Sequence, residues 1–149
     1  MSRRLAAPTI AESGFRNALL EAAEALFVGS AIRWRLAMHD DDVRRLEAYP
    51  LVARQLLLIA IEASANALKH SQARNIVYLF QWSDGVCQWS IRDDGVGFDL
   101  DTPAAGQGMG LSNMRSRAGI LKNGNFLIDS RATGTSIVVT FALDTDIPP

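Results

Sequence analysis

Residues 91–117 read IRDDGVGFDLDTPAAGQGMGLSNMRSR and decide the fold of this chain. They hold two glycine-rich clusters, residues 93–97 and 106–110, on either side of a short polar stretch. The first cluster follows an apolar, strand-like run, and the second leads into a segment whose apolar residues recur at helical spacing. Glycines at a strand end let backbone approach a flat ligand, and glycines before a helix expose N–H groups to an anion. The stretch therefore indicates a nucleotide site.

The order of these motifs excludes the two most common nucleotide folds. A dinucleotide-binding fold places GxGxxG directly after a strand and an acid further on, whereas here GQGMG follows a loop and the acid precedes it. The phosphate loop that ends in Gly-Lys-Ser/Thr is also absent from the sequence. Each cluster alone is consistent with an ordinary turn or helix cap, so the function has to be inferred from several motifs in order.

A third motif lies upstream, in the apolar segment IEASANALKH of residues 61–70. Glu62, Asn66 and Lys69 stand at i, i+4 and i+7, which places them on one face of a helix. Polar groups on an otherwise apolar helix need partners. Asn66 offers a neutral oxygen to a hard cation such as Mg²⁺. Lys69 offers a point charge to phosphate, although a solvated lysine at a helix end is the plain alternative.

The three motifs together resemble the ATP-binding domain of sensor histidine kinases, where they are the N-box (residues 62–70), the DxGxG box (93–97) and the GxGxG box (106–110). These kinases belong to a superfamily that also contains gyrase, heat-shock chaperone and mismatch-repair ATPases. The run GLSNMRSRA, residues 110–118, narrows the resemblance to the nitrate-sensor class of two-component kinases. The resemblance covers residues 15–143 and rests on three motifs in the family's order.

An α+β fold is predicted. Apolar periodicity gives the order helix, strand, helix, hairpin, loop, helix, hairpin, in which the antiparallel pairs favour a two-layer sandwich. The resemblance implies a Bergerat-type ATP-binding fold, with a mixed, mainly antiparallel sheet covered on one face by helices. The predicted helices are residues 15–27, capped by Ser13, 51–71 and 111–121, and the predicted strands are 32–38, 75–82, 86–92, 125–130 and 136–143. Residues 39–42, HDDD, are expected to form a solvated acidic loop.

The resemblance implies ATP and Mg²⁺ as ligands and gives individual residues roles. Asn66 holds Mg²⁺, Glu62 orients or deprotonates the attacking group, and His70 supports the phosphate region. Asp93 accepts the adenine amine, a role that its chemistry also permits because a short carboxylate is a strong acceptor. Gly95 and Gly97 are expected to let the base lie flat, and Gly106, Gly108 and Gly110 to form the hinge of a lid, residues 99–105. Leu111, directly after the last glycine, and Thr135 are the other expected nucleotide contacts.

Some of these residues have a plain structural alternative. Glu62 is also consistent with a surface acid that pairs with a base, and Thr135 with a turn residue that begins a strand. Asp94 is expected to be structural.

Kinases of this family transfer the γ-phosphoryl group of ATP to a histidine on a separate dimerisation domain. No phosphoacceptor box is recognisable in this sequence, so we expect a catalytic fragment or a free-standing domain that acts on another protein. The expected partners are the phosphoacceptor domain and, indirectly, a response regulator. An anti-sigma-factor-like serine kinase or a nucleotide-gated regulatory module shares the three boxes and is the alternative. Arg115 and Arg117 in NMRSR favour the sensor kinase.

Length and composition favour one domain. The 149 residues are 48% hydrophobic, which is enough for a single core at residues 13–143, with 1–12 as a lead-in and 144–149 as a frayed tail. A formal net charge of -1 supplies no field for nucleic acid or an acidic membrane. The apolar residues 51–68 contain too many polar side chains for a membrane span.

The remaining signals favour a cytoplasmic location. Cys87 is the single cysteine, so it cannot form an internal disulfide and fits a reducing compartment. No secretion signal is visible in the first residues. We therefore expect a cytoplasmic domain, either alone or as the cytoplasmic part of a membrane-bound sensor, and a monomer when isolated.

Overall fold

The structure is a computed structural model that describes residues 10–97 and 107–148, and of residues 107–109 it describes the backbone alone. Its helices are α1 (Ile10–Ser13), α2 (Phe15–Phe27), α3 (Asp40–Glu47), α4 (Pro50–Asn66) and α5 (Gln107–Ile120). Its strands are β1 (Arg33–Met38), β2 (Asn75–Ser83), β3 (Val86–Asp93), β4 (Asn125–Arg131) and β5 (Gly134–Ala142). Helix α4 continues directly into a π-helical turn, Ala67–Ser71.

The strands form one five-stranded mixed sheet in the order β1-β2-β3-β5-β4. Strands β1 and β2 are parallel, since α3 and α4 cross over between them, and the other neighbours are antiparallel. On one face of the sheet the side chains are buried, as at Tyr78, Trp89 and Val139, whereas Arg33 and Arg92 on the opposite face are exposed. Helices cover only the buried face, which confirms the predicted two-layer α+β sandwich.

Trp89 joins α4 to the middle of the sheet. Its indole N–H donates to the Leu56 carbonyl oxygen at 3.0 Å, and the side chain is fully buried. The ring lies against those of Phe15, Tyr78 and Phe80, with centroids 5.5, 6.4 and 6.3 Å away. A buried indole N–H without an acceptor is costly, so this bond fixes which turn of α4 lies under β3.

Helix α4 with its π-helical turn is apolar enough, by length and composition alone, to resemble a membrane span. Residues Pro50–Ser71 have a mean hydropathy of 1.4, and 50% of their most apolar window is buried inside the domain. A core helix passes the same test, because a helix that is apolar all round packs against other elements. Its burial against the sheet therefore explains the apolar sequence.

The C-terminal segment holds the N-terminus of α4. The Asp146 carboxylate accepts hydrogen bonds from the backbone N–H groups of Leu51 and Val52, both at 3.1 Å, and Ile147 packs against the core. The carboxylate thereby supplies the acceptor and the negative charge that a local N-cap would supply. The prediction that residues 144–149 form a frayed tail is wrong for Asp146 and Ile147, because contacts this distant in sequence leave no local pattern.

Helix α2 is capped by a distant glutamate rather than by the predicted cap, Ser13. It begins after Gly14, whose φ is 87°, and the Phe15 N–H donates to the Glu47 carboxylate at 2.7 Å. Ser13 instead ends α1, a helix that begins at Ile10 within the segment 1–12 that was predicted to be a lead-in. Residues 1–9 of that lead-in lie outside the described residues.

The acidic segment predicted as a loop is helix α3. Its first turn holds three aspartates and its last turn two arginines, an order that the helix dipole favours. Val43 and Leu46 are its buried residues. Two apolar side chains are too few to show a helical period in the sequence, so the prediction of a loop is wrong.

Both predicted hairpins are confirmed. Between β2 and β3, Asp84 and Gly85 have φ values of 51° and 81°, as a type I′ turn requires. The turn between β4 and β5 also joins neighbouring antiparallel strands. The predicted lid, residues 99–105, lies outside the described residues.

Replacement of Asp146 by alanine is expected to lower the free energy of unfolding by about 1 kcal/mol, the usual cost of removing a helix N-cap acceptor. Urea denaturation followed by circular dichroism measures the change. The control is Asp144→Ala, which removes an exposed carboxylate that pairs with Lys122 at 2.7 Å and caps no helix. We expect a smaller loss in the control, and equal losses would contradict the capping role of Asp146.

Candidate nucleotide-binding site

Two of the three sequence motifs meet in a pocket between α4 and the neighbouring ends of β3 and β5. The pocket combines apolar side chains from both layers with four polar residues, and its lining is Ala63, Asn66, Ala67, Ser71, Ile91, Asp93, Thr135 and Ile137. In this conformation its volume is about 10 Å³, which is room for one water molecule. A purine therefore enters only when the pocket opens.

Asp93 ends β3 and lies opposite Thr135 in the β3–β5 register. Its Oδ1 accepts from the Gly95 N–H at 2.9 Å and from the Thr135 N–H at 3.4 Å. Among the described residues, Oδ2 has no hydrogen-bond donor. Burial raises the pKa of the Asp93 carboxyl above its ordinary value, and the two backbone hydrogen bonds offset part of that rise.

Asp94 points away from this pocket and binds the start of β2. Its Oδ1 accepts from the backbone N–H groups of Arg74 and Asn75, both at 2.8 Å, and its Oδ2 from the Asn75 side chain at 2.7 Å. The Asn75 side-chain amide is the main reason why the pKa of Asp94 is lowered. These contacts agree with the structural role predicted for Asp94.

Backbone packing accounts for the glycines of the DxGxG box. A Cβ on Gly95 would lie 2.2 Å from the Ser71 carbonyl oxygen, and one on Gly97 would lie 2.2 Å from the Arg131 carbonyl oxygen. Gly97 also has a φ of 76°. The Val96 N–H donates to the Ser71 oxygen at 2.6 Å. The loop therefore passes between the π-helical turn and the β4–β5 hairpin with no room for a side chain at either glycine.

The first turn of α5 brings the GxGxG box against the N-box. Gly108 and Gly110 lie inside this turn, and Gly106 lies outside the described residues. A Cβ on Gly110 would be 3.3 Å from Asn66 Nδ2 and 3.4 Å from Glu62 Oε2. The side chains of Glu62 and Asn66 thus face the start of α5, where N–H groups and the helix dipole attract an anion.

The Asn66 amide suits a ligand that the protein does not supply. Its Nδ2 is buried and, within the described part of the chain, has no hydrogen-bond partner. A buried amide without a partner is costly, and a half-turn about its last torsion would present Oδ1 instead. The described residues contain no group of three or more His, Cys, Asp or Glu side chains that could hold a metal. A cation here would therefore rest on Asn66 and on oxygens of the ligand itself.

Thr135 is buried in the pocket, and its hydroxyl forms a hydrogen bond with the Ser130 hydroxyl at 2.8 Å. Three other predicted residues, Lys69, His70 and Leu111, lie outside the pocket lining. Lys69 is exposed and His70 half-buried, both in the π-helical turn, and neither lines the pocket. Leu111 is half-buried and packs against the core.

The sequence did not reveal Ser71, Ile91 or Ile137 as pocket residues. Ser71 is buried, and its hydroxyl donates to the Ala67 carbonyl oxygen at 2.8 Å. Its place depends on the π-helical turn, which has no sequence signature. Ile91 and Ile137 face each other in the β3–β5 register, and the alternation of both strands would have placed them on the buried face.

Arg115 and Arg117 contact the protein itself. Arg117 donates to the Gln55 side-chain oxygen at 3.0 Å, and the Arg115 guanidinium lies 4.9 Å from the centre of the Phe126 ring. Both contacts help to hold α5 on α4 and β4. They place neither arginine at the pocket.

The sequence matches the family model of histidine kinase-, DNA gyrase B- and HSP90-like ATPases over residues 52–145. The nitrate/nitrite sensor protein NarX of Escherichia coli K12 is 36% identical over 89 residues, which are 60% of this chain and 15% of NarX. The signal transduction histidine-protein kinase/phosphatase DegS of Bacillus subtilis is 34% identical over 91 residues, 59% of this chain and 23% of DegS. The chain thus spans less than a quarter of the length of either relative.

Solved structures show the same fold. The histidine kinase domain of the Erythrobacter litoralis EL346 blue-light activated histidine kinase aligns with a TM-score of 0.67 at 20% identity, over 87% of this chain and 65% of that one. The Acinetobacter baumannii histidine kinase AdeS also gives a TM-score of 0.67, at 15% identity, over 88% of this chain and 64% of its own. At these identities the likeness concerns the fold alone.

Gly110→Ala is expected to weaken nucleotide binding, because the new methyl group would press on Asn66 and Glu62. The matched control is Gly119→Ala in the same helix, where a Cβ meets nothing within 4 Å. We expect the control to raise the free energy of unfolding by roughly 0.5–1 kcal/mol and to leave binding unchanged. Thermal unfolding with and without ADP measures both effects. If ADP raises the unfolding temperature equally in the two variants, the added methyl group at position 110 does not crowd the binding site.

Neutralising Asp93 is expected to stabilise the ligand-free domain at neutral pH. Burial raises the pKa of Asp93 on folding, so the folded state favours the protonated carboxyl. The resulting contribution to the free energy of unfolding is complete below the unfolded-state pKa and is lost as the pH rises through the folded-state pKa. Asp93→Asn avoids this loss and keeps Oδ1 as the acceptor for Gly95 and Thr135. At pH 7 the variant should have a higher urea midpoint than the wild type.

Asp144→Asn serves as the control for this measurement. The hydrogen bond from Lys122 lowers the pKa of Asp144, so folding favours its ionised form and neutralisation should not raise the midpoint. If Asp93→Asn unfolds at a lower urea concentration than the wild type, the buried Asp93 carboxylate does not destabilise the ligand-free domain.

Proposed function

The chain belongs to the family of histidine kinase-, DNA gyrase B- and HSP90-like ATPases, and we propose that it is the ATP·Mg²⁺-binding catalytic domain of a two-component sensor histidine kinase. The observation that carries the proposal is the presence of Asp93 and Asn66 in one pocket, with Glu62 one helical turn from Asn66. Among the described residues, Asp93 Oδ2 at one end and the Asn66 amide nitrogen at the other have no hydrogen-bond partner, which suits the two ends of a nucleotide. The names of the relatives, a sensor protein and a signal transduction kinase, agree with this function.

At the base end, Oδ2 of Asp93 accepts a hydrogen bond from the exocyclic amine of adenine. The side chains of Ile91 and Ile137 offer apolar surface to the ring, and the Thr135 hydroxyl lies beside Asp93. Because this end is buried, water competes little for the carboxylate, and a charge-assisted hydrogen bond is worth more than in solvent. The same burial makes the site selective for a base that carries an amine.

At the phosphate end, the oxygen of the Asn66 amide would hold Mg²⁺, which would neutralise charge on the phosphates. Gly108 and Gly110 leave space beside the N-terminus of α5, whose N–H groups attract the phosphate oxygens. At the end of the N-box, Lys69 adds positive charge from the exposed side, and His70 adds a hydrogen bond. Together these groups fix the γ-phosphoryl group next to Glu62.

Transfer then requires an acceptor in line with the γ-phosphorus. The bond from that phosphorus to the bridging oxygen of ADP breaks while a phosphorus–nitrogen bond to an imidazole forms, and ADP leaves. Glu62 orients the imidazole and takes its proton. Catalysis thus rests on position and on charge rather than on a covalent enzyme intermediate.

The acceptor histidine belongs to a separate phosphoacceptor domain in this proposal, and a response regulator receives the phosphoryl group afterwards. We place the domain in the cytoplasm and expect it to be monomeric when isolated. The alternative is an anti-sigma-factor-like serine kinase or a nucleotide-gated module, which would use the same pocket with another target.

Calorimetric titration with ADP and with a non-hydrolysable ATP analogue, each with and without Mg²⁺, tests the proposal. We expect both nucleotides to bind, Asp93→Asn to weaken both about tenfold or more, and Asn66→Ala to remove only the part of the affinity that depends on Mg²⁺. Asn113→Ala, an exposed asparagine on α5, is the control and should behave as the wild type. An absence of heat with either nucleotide contradicts the proposal.

The kind of acceptor is tested with γ-labelled ATP and the phosphoacceptor domain of NarX as substrate. Phosphohistidine is labile in acid and stable in base, whereas phosphoserine is stable in acid. Acid-labile label that Glu62→Gln prevents without loss of nucleotide binding supports histidine transfer. Acid-stable label would favour the serine kinase.

A further inference from the structure

We propose that Asp94 is a positioning residue. Its carboxylate fixes the turn that orients the Asp93 carboxylate toward the base, and it thereby increases the preference of the site for adenine over other bases. The inference rests on the proposed function, because it requires Asp93 to meet the base. Asp94 does not line the pocket. It acts through the backbone that it holds.

Asp94 ties the turn to the start of β2. Its carboxylate receives the three hydrogen bonds from Arg74 and Asn75, at 2.7 and 2.8 Å, and its own N–H donates to the Asn75 carbonyl oxygen at 3.2 Å. The pKa of Asp94 is lowered chiefly by the Asn75 side chain, so the group is ionised at neutral pH and stays an acceptor at both oxygens. Four hydrogen bonds therefore join one residue of the loop to one end of β2.

A second anchor holds the other side of the same turn. The Val96 N–H donates to the Ser71 carbonyl oxygen at 2.6 Å. Gly95 lies between the two anchors and packs so closely on Ser71 that a Cβ would be 2.2 Å from the same oxygen. The turn is thus fixed to β2 through Asp94 and to the end of the N-box helix through Val96.

The orientation of the Asp93 carboxylate depends on where this turn places Gly95. The Gly95 N–H bonds to Asp93 Oδ1 at 2.9 Å, whereas the bond from Thr135 to the same oxygen is 3.4 Å long and weaker. If the anchor at Asp94 is lost, Gly95 can move relative to β3. Oδ2 of Asp93 then loses its alignment with an amine in the pocket.

Asp94 is exposed, so its side chain can be removed without opening the core. The hydrogen bonds of an exposed carboxylate contribute little to global stability, yet they restrain a loop. A directional hydrogen bond weakens steeply when its angle changes, and apolar contacts with the ring do not. We therefore expect the loss of Asp94 to affect base discrimination more than unfolding.

Calorimetric titration of the domain with Mg²⁺ and either ATP or ITP measures this discrimination. ITP has a carbonyl oxygen where ATP has the exocyclic amine, so it keeps the phosphates and loses the donor to Asp93. We expect the wild type to prefer ATP by about tenfold or more, the value of one hydrogen bond to a charged group. Asp94→Ala should reduce this preference by roughly threefold to tenfold, through weaker ATP binding at nearly unchanged ITP binding.

Two variants separate positioning from general damage. Asp94→Asn keeps an oxygen for the N–H groups of Arg74 and Asn75, and the Asn75 amide can turn to face the new amide, so this variant should restore the preference. Asp144→Ala removes another exposed carboxylate, which pairs with Lys122 and whose pKa that pair lowers, and this variant should keep the preference.

The outcomes are distinct. An equal loss of affinity for ATP and ITP in Asp94→Ala, or a lower unfolding midpoint with an unchanged preference, would show that Asp94 is only structural and would overturn the inference. A wild type that binds both nucleotides equally would overturn the contact between Asp93 and the amine, and the inference with it. A wild type that binds neither nucleotide contradicts the proposed function itself.

Discussion

The hydrogen bond from the Trp89 indole to the Leu56 carbonyl oxygen is the contact on which the site depends. It joins the middle of β3 to the middle of α4 in a dry core, where another register would leave the indole N–H unpaired. Once this register is set, β3 ends with Asp93 and α4 ends with Asn66 at the same pocket. Two motifs that are distant in the sequence thus meet at one site. This bond and the buried hydrogen bond between the Ser64 and Tyr78 hydroxyls both favour this arrangement of α4 on the sheet.

The pocket holds two polar groups whose burial is unfavourable. Burial disfavours the charged form of Asp93, and within the described residues the buried Nδ2 of Asn66 has no partner. Elsewhere among the described residues, the buried Ser90 hydroxyl also has no partner, whereas the carboxylates of Asp94 and Asp146 accept two backbone N–H groups each. In the pocket, Asp93 and Asn66 stand together beside apolar side chains, which is the arrangement that a ligand site requires.

Local patterns predicted most of the fold, including α2, α4, α5 and both hairpins, because apolar period and turn glycines are visible in short windows. They missed α3, which has few buried residues, and the two helix caps supplied by Glu47 and Asp146 from distant parts of the chain. At the site, the motifs named Asp93 and Asn66, whereas Ser71 enters the pocket only because a π-helical turn follows α4. The two caps were missed because they depend on contacts that form only after the layers have packed.

A crystal structure of the domain with Mg²⁺ and a non-hydrolysable ATP analogue tests the central claim most directly. The account predicts the adenine amine within hydrogen-bond distance of Asp93 Oδ2, the cation at about 2.1 Å from the amide oxygen of Asn66, and Glu62 facing the γ-phosphate. A nucleotide bound elsewhere, or a base turned away from Asp93 while the cation sits on other ligands, would contradict it.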